Sequence, residues 1–279
     1  MANAFFSDLL STISERGRSL LRRGEPADGK EDASDLIELC EALLSGAGEA
    51  SGTAMAREVL DRYHELDATG RIAFFETLAR DFGPDRARLA KAIETWQAQP
   101  GDGNGSAVHF ASEPRRQELI RRLNRAPHGT SDLVAMRSDL LTHMDGRKDL
   151  AAVDHDVAHL LGSWFNRGFL VLRRIDWSTP ANILEQIIRY EAVHEIRDWN
   201  DLRRRIDPID RRCYAFFHPQ LSDEPLIFVE VALTETIPSG IAPLLAVDRK
   251  GVAIERARTA VFYSISNTQR GLGGISFGN

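Results

Sequence analysis

Up to about residue 200, the apolar positions of this chain recur at helical spacing. Leu36, Ile37, Cys40, Leu43 and Leu44 follow an i, i+3, i+4, i+7 rule, with Asp32 or Ser34 placed to cap the helix start. Met55, Val59, Leu60 and Tyr63 repeat the pattern, and Ile72, Phe74, Phe75 and Leu78 do so again before Gly83-Pro84 breaks it. Pro84 suits the first position of a further helix running to about Gln97, since it has no N–H to leave unpaired. Gln99 to Ser106 reads as a flexible loop by composition. Helical spacing resumes over Glu113–Asn124, Ser131–His143, roughly Leu150–Phe169 and Pro180–Arg197, the last with Thr179 as its cap.

After Arg205 the period changes. Cys213–His218, Leu226–Leu233 and Thr259–Ser266 are rich in β-branched and aromatic residues and are bounded by Pro219, Pro225, Pro238 to Gly240 and Asp248 to Gly251. Leu226–Leu233 is apolar on both faces, which predicts a central strand. The fold class is therefore α+β: an all-helical domain over 1–195, then a partial α/β sheet domain over 196–279. The last strand runs into a polar, glycine-rich loop that stops almost at Asn279, so the sheet domain is expected to be incomplete.

Composition excludes several classes. A net charge of −6 argues against a nucleic-acid partner. No stretch approaches the roughly 18 apolar residues of a spanning helix, so no membrane partner is expected. Met1 to Asp8 lacks the basic and apolar regions of a leader. The two cysteines, Cys40 and Cys213, lie far apart and form no framework, which suits a reducing cytoplasm. Arg115-Arg116, Arg121-Arg122 and Arg203 to Arg205 read as solvated helix faces.

Four features carry possible chemistry. His155 and His159 place two imidazoles one helical turn apart, but with Asp156 where a zinc motif needs Glu, so no metal is expected. Glu230 interrupts the most hydrophobic strand and must be paired, with Arg173, Arg174 or Arg212, or titrate high. Ser264 and Ser266 alternate with Tyr263 and Ile265, so the two hydroxyls share one face that excludes both neighbours, and Ser266 sits at a reachable strand end. As a strand-end residue it is equally a turn former. Arg270 to Gly274 is able to cradle an anionic group through backbone N–H groups, or to serve as a plain turn.

Several blocks resemble malonyl-CoA decarboxylases: Leu123–Thr130, Leu133–Leu141, Ser163–Phe169, Arg174–Ala181, Tyr190–His194, Asp201–Arg205, Arg211–Cys213, Phe217–Pro219, Glu224–Thr234 and Phe262–Asn267. The match covers most of the chain from about residue 120. The resemblance implies a helical domain that mediates homo-oligomerisation. It also implies a catalytic domain with the fold of the GCN5-related acetyltransferases. The implied reaction converts malonyl-CoA into acetyl-CoA and carbon dioxide, with no metal or redox cofactor. It assigns catalysis to Ser266, with Ser264 as the other candidate. Malonyl-CoA binding falls to Pro238, Ser239, Gly240, Ile241, Ala242, Pro243 and Leu244. A further binding group comprises Asn267, Gln269, Arg270, Gly271, Gly273 and Gly274. The acetyltransferase loop pattern is met at Arg270 and Gly273, while Ile275 takes its final small position. The family's catalytic histidine is implied to lie beyond this loop, so the chain alone is expected to be an incomplete enzyme. The rival readings are an acyl-CoA acyltransferase of the same superfamily and a non-catalytic oligomerisation module.

Overall fold

A computed structural model describes residues 29–46, 49–221 and 223–276. The N-terminal octapeptide lies outside the described residues. The chain divides into two compact units, residues 1–161 and 162–279.

The first unit is helical: α1 (Gly29–Leu44), α2 (Glu49–Glu65), α3 (Ala68–Asp81), α4 (Arg86–Ala98), α5 (Asp102–Ser112), α6 (Arg115–Leu123), α7 (Gly129–Thr142) and α8 (Ala151–Trp164), whose end reaches into the second unit. The predicted stripes form its core: Leu36, Cys40 and Leu43 of α1, Val59, Leu60 and Tyr63 of α2, and Phe74, Phe75 and Leu78 of α3 are all buried. The rings of Tyr63, Phe74 and Phe75 meet at 5.4 to 5.9 Å. Each such burial stabilises by about 1.5–3 kcal/mol. At the turn before α7, His128 takes a left-handed φ of 61°. Gly129 follows where any Cβ would lie 2.4 Å from the Leu123 carbonyl, so only glycine fits.

Several boundaries differ from the sequence reading. α1 begins at Gly29, so Asp32 and Ser34 lie inside it. Asp85, accepting from the N–H groups of Ala87 and Arg88, caps α4, and Pro84 precedes the cap. The expected loop at 99–106 is mostly α5. Its glycines are tolerated because α4 and α5 pack together.

The second unit is a four-stranded antiparallel sheet in the order β1 (Val171–Ile175), β2 (Arg211–Phe217), β3 (Pro225–Thr234), β4 (Thr259–Asn267). β3 is central, as predicted. β1 contradicts an all-helical reading to residue 195, and the helix expected to reach Phe169 ends at Trp164. The unit boundary accordingly lies before residue 196. β1 is an edge strand whose first four residues are exposed, so it shows no apolar alternation. It is held by its ladder to β2 and by Arg173 over the Phe217 ring at 4.4 Å.

Helices α9 (Ala181–Tyr190) and α10 (Trp199–Ile206) cover one sheet face. Ile183, Leu184 and Ile187 of α9 and Leu202 and Ile206 of α10 share a core with Cys213, Ala215, Phe217 and Phe228. Pro180 is the cap of α9, not its first residue, while Thr179 accepts from the Asp176 N–H instead. A short helix, α11 (Ala242–Leu245), sits beyond β3. On the opposite sheet face Leu172, Phe262 and Ile265 are exposed. No described helix is long and apolar enough to cross a membrane.

The arginine runs are not uniformly solvated. Arg116 is buried against Asp156, which also accepts from Gln117 at 2.7 Å. Asp156 is the central acid of the His155–His159 segment, so it faces inward while both histidines are exposed. Among the described residues no cluster of three metal-ligating side chains occurs. Breaking a buried pair leaves an uncompensated charge, so Asp156→Ala should lower the stability of the helical unit by about 3–5 kcal/mol. His155→Ala should change it by less than about 0.5 kcal/mol. Urea titration of both variants checks this; equal effects would refute the structural role of Asp156.

Candidate functional site

Sequence periodicity carries the α9 helix on to Arg197, but it stops at Tyr190. The reason lies in the next side chain. Glu191 Oε1 accepts from the N–H groups of Val193 and His194 at 2.9 and 2.8 Å, which turns the chain out of the helix. The carboxylate is then buried beneath β4.

There it meets both predicted serines. The Ser264 hydroxyl donates to Glu191 Oε1 at 2.6 Å and Oε2 at 2.8 Å. The Ser266 hydroxyl lies 3.2 Å from Oε2, accepts from the Ala192 N–H at 3.3 Å, and stands 3.5 Å from the Ser264 oxygen. The shared face is as expected. The accessibility is not: each serine is only 2% exposed, because the Glu191–Ala192 segment seals the strand.

A bulge modifies the alternation. Glu230 pairs with Ser264 but Val231 pairs with Phe262, leaving Tyr263 as the extra residue. Tyr263 and Ser264 are consequently both buried, and Phe262 and Ile265 take the exposed face. Tyr263 packs with Ala232 and Leu244, and Val261 and Ile241 pack against that cluster.

Glu230 has no exposed surface, and its partner is Arg205 at 3.2 Å rather than Arg173, Arg174 or Arg212. Arg205 also donates to the carbonyls of His194 and Glu195, both at 2.7 Å. Burial pushes the Glu230 carboxyl up to about 7, against the pull of Arg205 and with the Glu191 charge adding to the rise. The Tyr263 hydroxyl lies close enough to act on Glu230. Neither Glu230 Oε1 nor the Tyr263 hydroxyl completes a hydrogen bond.

The remaining predicted residues divide between the two ends of β4. Ser239, Gly240, Ala242 and Pro243 are exposed, Pro238 and Ile241 are half-buried, and Leu244 is buried against Tyr263. Beyond the other end, Asn267 and Arg270 are exposed and Gln269 donates to Glu224 at 2.9 Å. Gly271 is buried, while Gly273 and Gly274 are exposed, Gly274 with a φ of +77°. The N–H groups of Leu272, Gly273 and Ile275 already donate to carbonyls within the loop. The loop is a folded turn in which those three groups are unavailable as a cradle. Glu191, Arg205 and Tyr263 were missed by sequence reasoning. The signal for Glu191 was an acid directly after a strongly amphipathic helix.

Residues 82–165 match the malonyl-CoA decarboxylase N-terminal domain, and residues 168–279 match the malonyl-CoA decarboxylase C-terminal domain. The chain belongs to the malonyl-CoA decarboxylase family. A relative from Anser anser anser named mitochondrial malonyl-CoA decarboxylase is 36% identical over 241 residues, covering 80% of this chain and 47% of the relative. A relative of the same name from Mus musculus is 32% identical over 227 residues, covering 76% and 46%. The chain thus spans about half the length of the curated relatives it matches. The crystal structure of malonyl-CoA decarboxylase from Rhodopseudomonas palustris superposes with a TM-score of 0.85 at 58% identity, over 91% of this chain and 61% of that one. That from Agrobacterium vitis gives 0.84 at 57%, over 87% and 59%.

The Glu230 geometry yields a pH prediction. Between the ordinary carboxylate value and about 7, the folded chain holds a proton that the unfolded chain has released. Its contribution to stability is therefore full at low pH and is lost as pH rises towards 7. Glu230→Gln should flatten the fall in urea midpoint between pH 4.5 and 7. An unchanged slope would show that Glu230 stays ionised throughout.

Proposed function

We propose that a protein carrying this chain converts malonyl-CoA into acetyl-CoA and carbon dioxide. The observation that carries the reading is the pair of serine hydroxyls on β4, oriented by a buried carboxylate, within the region that matches the family's C-terminal domain. Malonyl-CoA is taken up with Pro238–Leu244 on one side of the serines and Asn267–Gly274 on the other.

In the reaction the bond between the malonyl carboxylate carbon and the α-carbon breaks. Its electron pair moves onto the thioester as an enolate, carbon dioxide leaves, and the α-carbon takes a proton. A hydroxyl aimed at the substrate stabilises that charge as it develops. Ser264 is held by both oxygens of Glu191 at 2.6 and 2.8 Å, whereas Ser266 meets only one of them, at 3.2 Å, and accepts from the Ala192 N–H at 3.3 Å, so Ser266 is the less tightly held hydroxyl and the one assigned to the acyl group. Burial of both strengthens any such contact by excluding water.

The same reading makes the helical unit a homo-oligomerisation domain and the protein cytoplasmic. The half-exposed Trp96 and strongly exposed Phe110 support the first point. Two buried free thiols, Cys40 and Cys213, support a reducing compartment.

Assay of malonyl-CoA turnover without any acceptor tests the activity, in a protein of the relatives' full length that includes these residues. Ser266→Ala should reduce kcat roughly 10²-fold or more, on the scale of losing one oxyanion donor. A loss below about threefold would shift the role to Ser264 or Asn267. No acetyl-CoA from the unmutated protein would refute the reading. Sedimentation at micromolar concentration should show self-association of the helical unit, and a monomer would overturn that part.

A further inference from the structure

At the end of the sheet away from Ser266 lies a cavity of about 170 Å³, lined by Asp201, Arg204, Arg205, Arg211, Leu244 and Arg249 among others. One water needs only about 10–15 Å³ of such space, so there is room for an oxyanion together with bridging waters. Four guanidiniums converge on it. Three are matched to carboxylates: Arg204 to Asp201 at 3.0 Å, Arg205 to Glu230 at 3.2 Å, and Arg249 to Asp210 through two bonds of 2.6 and 2.8 Å.

Arg211 differs. It begins β2, is 2% exposed, and among the described residues pairs with no carboxylate. Its Nη2 donates to the Leu244 carbonyl at 2.5 Å, while its Nη1 is buried with no partner. Arg205 Nε is likewise orphaned. Leaving a buried charged donor unpaired is costly, so an orphan beside an open cavity is a donor kept for a ligand. The local field agrees: burial and then the Arg249 charge pull the Arg211 guanidinium down, while Asp210 and Glu230 act on it in the opposite sense.

We propose that this cavity is an oxyanion-binding site in which Arg211 Nη1 donates to a phosphate or carboxylate group, with Arg204 and Arg249 supplying the surrounding positive charge. The site is distinct from the serines. Arg211 pairs with Ala232 and Ser266 with Phe228, four positions apart along β3, which is roughly 13 Å. An acyl group held at Ser266 does not reach it. The inference does not depend on the decarboxylase reading. Its ligand is either a free oxyanion or a phosphate of a CoA molecule.

Inorganic phosphate titrated against the full chain at constant ionic strength, followed by calorimetry, tests the proposal. Saturable binding is expected. Arg211→Gln keeps an N–H donor and should weaken it roughly tenfold or more, the scale of a hydrogen bond to a charged group. Should that variant fail to fold, Arg204→Ala, at an exposed side chain of α10, decides, with an expected loss of roughly twofold to fivefold. Parallel titration with CoA identifies the source. Loss of CoA binding in the variants, with phosphate competing, supports a CoA phosphate. CoA binding unaffected by the variants, beside lost phosphate binding, supports a free oxyanion. Absence of saturable phosphate binding, or binding that neither variant weakens, would overturn the proposal.

Discussion

The Glu191 carboxylate, sealed beneath β4, ties the candidate site to the fold. It ends α9 by accepting two backbone N–H groups, and it accepts both serine hydroxyls. The segment it folds then presents the His194 carbonyl to Arg205, which reaches Glu230 on the central strand. One continuous path of hydrogen bonds therefore runs from the β4 serines through a loop and a helix to β3. A carboxylate this buried is tolerable only because four donors surround it. Removing it would strand them and free the loop together.

The bulge at Tyr263 sets what the path can hold. In a regular ladder, a residue adjacent to Ser264 would face away from it. The extra residue lets a phenol ring and a hydroxyl occupy the same side, so the segment around Leu244 packs on Tyr263 while Ser264 beside it stays with Glu191. The apolar contact of one proposed binding segment and the polar contacts of the serines are thus placed by a single backbone irregularity.

Periodicity made most of the helical unit and three of the four strands legible, because those elements bury one continuous stripe or alternate face. It failed where another force decides. β1 is a charged edge held by its ladder, with no apolar side to announce it. The glycine-rich residues of α5 are helical because a neighbouring helix accepts them. Glu191 stops α9 by a side-chain contact that no hydrophobic pattern encodes. At the site, alternation placed Ser264 and Ser266 on one face. It was silent on Arg205 as the partner of Glu230, since that contact joins a helix to a strand through the fold.

The two units bury charge in different ways. In the helical unit Arg116 meets Asp156 and Arg137 meets Asp154, each a closed pair between neighbouring segments. All five buried side-chain polar atoms without partners among the described residues lie in the sheet unit: Gln186 Oε1, Arg205 Nε, Arg211 Nη1, Glu230 Oε1 and the Tyr263 hydroxyl. An apolar core of similar volume would be at least as stable as these charges, so stability alone does not account for them. Four of the five are on residues that either line the arginine cavity or adjoin the Glu230–Ser264 pairing. Unsatisfied polarity confined to one unit, while the buried charges of the other are matched, is what a unit that binds charged ligands requires.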